Sequence, residues 1–88
     1  MEYIITFKNT NFAIKAEQAL LEKKLGVSVQ PLPSQIRAGC GICLRLNQNE
    51  IRAALKTLTE RGIDEIGLFL RESKGSQYNY TKTNDRGV

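Results

Sequence analysis

The opening apolar run alternates. In Tyr-Ile-Ile-Thr-Phe-Lys, residues 3–8, the positions Tyr3, Ile5 and Phe7 fall on one side of an extended chain, which predicts a strand. Asn9 and Thr10 follow, and their side-chain oxygens suit a helix start because they can accept a free N–H of the first turn. Over residues 11–25 the period lengthens: Phe12, Ala13, Ala16, Ala19, Leu20 and Leu25 trace a helical stripe, with Lys15, Glu22 and Lys23 free to face water. Gly26 is expected to supply the left-handed residue that ends this helix. Val27, Val29 and Leu32 predict a second strand, closed by Pro31 and Pro33, which cannot donate ladder bonds. Residues 34–39 read as a connecting loop. Ile42, Leu44 and Leu46 then alternate with Cys43 and Arg45 in a third strand over about residues 41–46. Asn47 and Glu50 have the spacing of a capping box ahead of a second helix, whose stripe is Ile51, Ala54, Leu55 and Leu58 and whose end is Gly62. Ile66, Leu68 and Leu70 make a fourth strand.

That order, β-α-β-β-α-β with helices long enough for crossovers, predicts an α+β fold: a ferredoxin-like sandwich of one four-stranded antiparallel sheet with both helices on one face. Residues 1–73 form the domain in this reading. Residues 74–88 hold little to bury beyond two tyrosines and a terminal valine, and are expected to be a disordered, basic tail or, failing that, a docking arm. The fold hosts many unrelated functions, so function has to come from particular residues.

Composition narrows the choice. A chain of 88 residues with 41% apolar and 25% charged content is one globular domain, and it has no room for a second core. No apolar run approaches the roughly 18 residues of a membrane span, and the opening residues lack a basic segment followed by an apolar one, which predicts a cytoplasmic protein without a membrane partner. The absence of histidine excludes imidazole general-base catalysis and histidine-containing metal sites. The net charge of +4 divides evenly: ten basic and eight acidic residues in 1–73, then three and one in 74–88. A +2 folded part argues against the dense basic face of a nucleic-acid binder. Between Glu22 and Glu50 there is no carboxylate, while Lys23, Lys24, Arg37, Arg45 and both cysteines lie inside that stretch. Either this is chance or it is a positive setting for a thiolate or a small anion.

The chemistry therefore centres on Pro31-Leu-Pro-Ser-Gln-Ile-Arg-Ala-Gly-Cys40-Gly-Ile-Cys43-Leu-Arg45. Gly39 and Gly41 flank Cys40 where a loop enters a strand, an arrangement that leaves the sulfur accessible and lets a partner's backbone approach. Strand alternation puts Cys43 and Arg45 on the face opposite Ile42, Leu44 and Leu46; it would put Cys40 inward, unless the loop or a bulge re-aims it. Four readings stay open on these residues. Both thiols are incidental; or Cys40 and Cys43 form a dithiol–disulfide pair; or they are half of a zinc site completed by another subunit; or Cys40 is a single reactive thiolate, its pKa lowered by Arg37 and Arg45. The Cys-x-x-Cys spacing leads here into a strand, where residues three apart point to opposite faces, so a disulfide would need a local turn.

This segment resembles a known family, the selenium/sulfur carrier protein-like domains. Pro31, Pro33, Ile36, Cys40, Gly41 and Arg45 match its pattern of a strand ending in Pro-x-Pro, a short loop, Cys-Gly, and a strand bearing an arginine. The opening is also similar, with a Tyr-Ile-Ile-Thr-Phe strand, a polar turn containing Thr10 and a helix containing Ala16-Glu17, so that the likeness spans about residues 3–70. The resemblance implies a carrier rather than a stand-alone enzyme, needing no cofactor and no metal. Such a carrier holds a persulfide or selenium on Cys40, with Gly41 and Arg45 as its neighbours, takes it from a donor such as a cysteine desulfurase and passes it to an acceptor protein; Arg37 and Gly39 complete the candidate site in this chain. Two departures stand out. The family's Arg-Glu pair and Ser-rich loop are replaced by Ser34-Gln35 and Arg37-Ala38-Gly39, and Cys43 occupies a position usually held by a small residue such as Ala. Cys43 is therefore either a resolving thiol or a small residue in a strand, and the second is favoured.

Two other functions compete. One is a non-catalytic binding module that docks a sheet face or edge to a protein or ligand; the other is a thiol redox switch. RNA is the weaker form of the first, because the predicted third strand carries none of the aromatics that stack bases on an RNA-recognition sheet. A homodimer through an exposed sheet face or edge is left open.

Overall fold

The computed structural model describes residues 1–37 and 39–83. Along the chain lie β1 (Glu2–Phe7), α1 (Thr10–Glu22), β2 (Ser28–Pro31), β3 (Ile42–Asn47), a single 3-10 turn (Gln48–Glu50), α2 (Ile51–Glu60), β4 (Ile66–Lys74) and β5 (Gln77–Lys82). The strands form one sheet in the order β2-β3-β1-β4-β5, and every neighbouring pair is antiparallel. The protein is thus α+β, with two helices and a five-stranded sheet.

β1 sits at the centre because both of its faces are apolar. Ile4 and Ile5 are both fully buried although successive strand residues point to opposite sides. On one side Tyr3, Ile5, Phe7, Leu44, Leu46 and Leu68 pack with Ala13, Ala16 and Leu20 of α1 and with Ile51, Ala54, Leu55 and Leu58 of α2. This is the main core, and the expected stripes supply most of it, with Phe12, Leu25, Ile42, Ile66 and Leu70 only partly buried against it and Ile63 added from the loop after α2. The small alanines of α1 let that helix lie close on the sheet, and each fully buried Leu or Ile contributes about 1.5–3 kcal/mol. On the other side Ile4 and Cys43 are covered by Ile36, with Leu32, Phe69 and Tyr80 packed around them. The cover comes from the loop between β2 and β3 and from β5, not from a helix.

Three expectations need correction. The sheet has five strands, not four: β4 continues past Leu70 to Lys74, Gly75 turns the chain at φ +62°, and β5 pairs back from Lys74↔Gln77 to Phe69↔Lys82. The segment expected to be a disordered tail thereby extends the sheet, because the exposed edge of β4 offers unpaired N–H and C=O groups and Tyr80 finds apolar surface to cover. The expectation for residues 84–88 falls outside the described residues. Second, α1 ends at Glu22, and the left-handed residue is Lys24 at φ +60°, not Gly26. The Lys24 N–H donates to the Leu21 carbonyl at 2.9 Å and the Leu25 N–H to the Leu20 carbonyl at 3.1 Å, the paired bonds of a Schellman end. Third, Asn47 and Glu50 do not form a capping box. Asn47 makes no side-chain cap bond; its Oδ1 accepts from Arg45 at 3.0 Å, while Glu50 Oε2 accepts the Gly26 N–H at 3.0 Å. Asn9 caps α1 as expected, accepting the Phe12 N–H at 3.0 Å. Among the described residues no helix is long and apolar enough to cross a membrane.

Candidate functional site

The described residues of the β2–β3 loop are held at several points. Pro31 closes β2 on the outer edge of the sheet, where its missing N–H breaks no ladder. The loop is then tied at its base by the Leu32 N–H, which donates to the Gly41 carbonyl at 2.9 Å. A turn follows, with the Ile36 N–H donating to the Pro33 carbonyl at 3.0 Å, and it drops Ile36 onto Ile4 and Cys43. Beyond the exposed Arg37 the chain returns along the end of β1. Gly39 passes so close there that a Cβ on it would sit 2.9 Å from the Phe7 carbonyl oxygen, and its φ of +101° is one that side-chain-bearing residues rarely adopt. Gly41 has φ +92° with open space around it, so backbone conformation alone demands that glycine.

Between these glycines Cys40 is free and partly exposed. Its body packs against the helix-side core, and its Sγ–H points to the Ile42 carbonyl at 3.8 Å. The loop therefore re-aims nothing: Cys40 keeps the inward register of Ile42, on the same side of the sheet as the helices. Its flanking residues are exposed, so the sulfur lies at the rim of the core with nothing bulky beside it.

Cys43 behaves differently. It is fully buried on the other face, and its Sγ–H points to the Pro31 carbonyl at 3.6 Å. Burial pushes its thiol above the ordinary value; the positive charge of Arg71 works against that without overcoming it. Both thiols are free, and the sheet separates them into different layers. That geometry counts against the disulfide pair and against two thiolates sharing one metal. Among the described residues no group of three or more Cys, Asp or Glu is placed to hold a metal ion.

Arg45 does not join Cys40. It faces the side of Ile4, where its Nη1 donates to Glu2 Oε2 at 2.7 Å and to Asn47. Arg45 is therefore not the neighbour of Cys40 that the sequence suggested: strand alternation places the two on opposite faces, and a carboxylate already occupies the guanidinium. Glu2 also accepts from Arg71, whose Nε lies 2.8 Å from Oε1 and whose Nη2 reaches the same oxygen, while Arg71 Nη1 donates to Gln30 at 3.3 Å. Burial by itself would raise the Glu2 carboxyl, but the hydrogen bonds and charges of Arg71 and Arg45 hold it below its ordinary value. Burial likewise disfavours the Arg71 cation, and Glu2 and Tyr80 more than offset that. The sequence reading missed this network. Arg71 lies beyond the expected end of the fourth strand, and only a register of β1 against both β3 and β4 brings Glu2 opposite Arg71 and diagonal to Arg45.

Of the residues singled out from sequence, Arg37, Gly39, Cys40 and Gly41 thus share one loop, while Cys43 and Arg45 belong to the opposite face. Searches among curated proteins and among solved structures each return no match. The family described as "Putative Se/S carrier protein-like" matches residues 2–70, from the first strand through the Cys40 loop and into β4. With most of its length matched, the chain belongs to this selenium/sulfur carrier protein-like family.

Proposed function

We propose that this protein carries sulfur or selenium on Cys40 and hands it between partner proteins, without being an enzyme in its own right. The observation that carries the reading is the contrast between two free thiols: Cys40 is partly exposed between exposed glycines, whereas Cys43 is buried, neutral and in another layer. A carrier needs one accessible sulfur and no acid–base machinery. In the transfer the Cys40 thiolate attacks the terminal sulfur of a donor's persulfide. A new S–S bond forms at Cys40, the donor's S–S bond breaks, and the electron pair leaves with the donor cysteine as its thiolate. No external oxidant or reductant enters. The exposed glycines leave room for the donor's backbone, as a cysteine desulfurase or similar donor requires, and the reverse step loads an acceptor protein. The β-α-β-β-α-β order with β2-β3-β1-β4 adjacency supports a ferredoxin-like sandwich as the scaffold, with β5 added at one edge. A cytoplasmic setting suits two thiols that remain free.

The test is intact mass after incubating the reduced protein with a cysteine desulfurase and cysteine. We expect the gain of one sulfur, removed by dithiothreitol, absent in Cys40→Ser and retained in Cys43→Ser. Equal loading of Cys40→Ser and wild type would overturn the assignment. The redox-switch alternative predicts instead a loss of two hydrogens on mild oxidation, which the separation of the thiols disfavours.

A further inference from the structure

The face of the sheet opposite the helices carries charge and aromatic rings in a pattern that the carrier reading does not use. Strand pairing places Glu2, Ile4 and Thr6 of β1 on this face with Ser28 and Gln30 of β2 and Cys43, Arg45 and Asn47 of β3. Gly67, Phe69, Arg71 and Ser73 of β4 join them, and β5 adds Tyr78, Tyr80 and Lys82. Glu2 is the sole carboxylate in that set, against Arg45, Arg71 and Lys82, and the covering loop contributes exposed Arg37 and no acid. The other described carboxylates all lie elsewhere, on the helices, the loops or the reverse of β4. The face is therefore positive while the rest of the molecule is nearly balanced.

Its aromatic ring is also prepared. Tyr78 is 47% exposed, and one side of its ring lies on the Arg71 guanidinium, with the carbon of that group 4.3 Å from the ring centroid. Arg71 is in turn fixed by Glu2 and Gln30, so one side of the ring is held and the other is open. Tyr80 stands beside it at 6.4 Å between centroids. Arg71, Tyr78 and Tyr80 all lie beyond residue 70, outside the part matched by the family.

We propose that this face binds single-stranded nucleic acid, with Tyr78 stacking an unpaired base and Lys82 and Arg37, both exposed, contacting phosphates. A face on which basic side chains outnumber the single carboxylate Glu2 matches a phosphate backbone, and an immobilised ring open on one side matches a base, whose flat surface is available only when it is unpaired. An acidic protein segment would use the charges but would have no need of the ring. The third strand carries none of the aromatics expected of an RNA-recognition sheet; the rings enter instead from β5, which pairs alongside β4.

The test is fluorescence anisotropy of a labelled oligouridylate of about 12 nucleotides, a length within the usual footprint of such sites. We expect saturable binding that weakens with salt and is tighter than for a hairpin duplex of similar length. Tyr78→Ala should weaken it roughly tenfold or more, Tyr78→Leu should weaken it similarly while keeping the Arg71 side covered, and Tyr78→Phe should retain it. Lys82→Gln should reduce the salt slope by about one phosphate, whereas Lys15→Gln, on α1 in the opposite layer, should not. No saturable binding, duplex bound as tightly as single strand, or Tyr78→Ala binding like wild type would overturn the proposal. So would an equal loss of affinity in Lys15→Gln and Lys82→Gln, which marks a general charge attraction instead of this face.

Discussion

Cys40 and Cys43 are three residues apart and chemically unlike, because the sheet lies between them. Native protein treated with iodoacetamide should therefore take up one group, on Cys40, and a second only after denaturation; two groups on the native protein would contradict the burial of Cys43. Gly39 tests the loop itself. An alanine there meets the Phe7 carbonyl oxygen and must adopt φ +101°, so Gly39→Ala should lower stability by about 1–3 kcal/mol, read as a lower urea midpoint at unchanged slope. It should also reduce sulfur loading by moving Cys40. Gly41→Ala has the conformational penalty without the contact and should cost less.

At the scale of elements, the ends of the helices show where local signals were read correctly and where they were not. Gly62 closes α2 at φ +75°, with the Ile63 N–H bonded to the Leu58 carbonyl at 2.8 Å. The equivalent position after α1 is Lys24, and a lysine there pays the left-handed penalty that a glycine avoids. Lys24→Gly should accordingly stabilise the protein by about 0.5–1 kcal/mol, seen as a higher midpoint of thermal unfolding. Lys23→Gly, at φ −87°, should give no such gain. Gly26 looked like the better cap in sequence because glycine is the usual left-handed residue. What it does instead is bring its N–H against Glu50, tying the exit of α1 to the start of α2 across 24 positions of sequence.

Across the whole molecule, Glu2 links four strands: it belongs to β1 and holds Arg45 of β3 and Arg71 of β4, and Arg71 reaches Gln30 of β2. Its carboxyl is held below the ordinary value of 4.5, so the folded state binds that proton less readily than the unfolded chain does. The stabilisation is present above the ordinary carboxyl range and is lost as the pH falls through the folded-state value. Denaturation midpoints measured downward from pH 6 should fall steeply below about pH 4.5, and Glu2→Gln should be less stable at pH 6 with a flatter acid limb. An acid limb as steep in Glu2→Gln as in wild type would assign the acid sensitivity to other carboxylates.

Much of this architecture was present in the sequence. The alternation of Tyr3, Ile5 and Phe7 and of Ile42, Leu44 and Leu46, and the stripe Ile51, Ala54, Leu55 and Leu58, mark the inner faces correctly, because a residue's side in a regular element depends only on its neighbours. The same alternation put Cys43 and Arg45 opposite that core, and the Cys40 motif gave the family. Tertiary structure decided the rest. β5 has too little apolar content to register as a strand, and it exists because the edge of β4 offers backbone partners. The partner of Arg45 depends on strand register, which joins residues 43 positions apart and leaves no local trace. Pattern along a chain fixes which way a side chain points; what it meets there is set by pairing between distant segments.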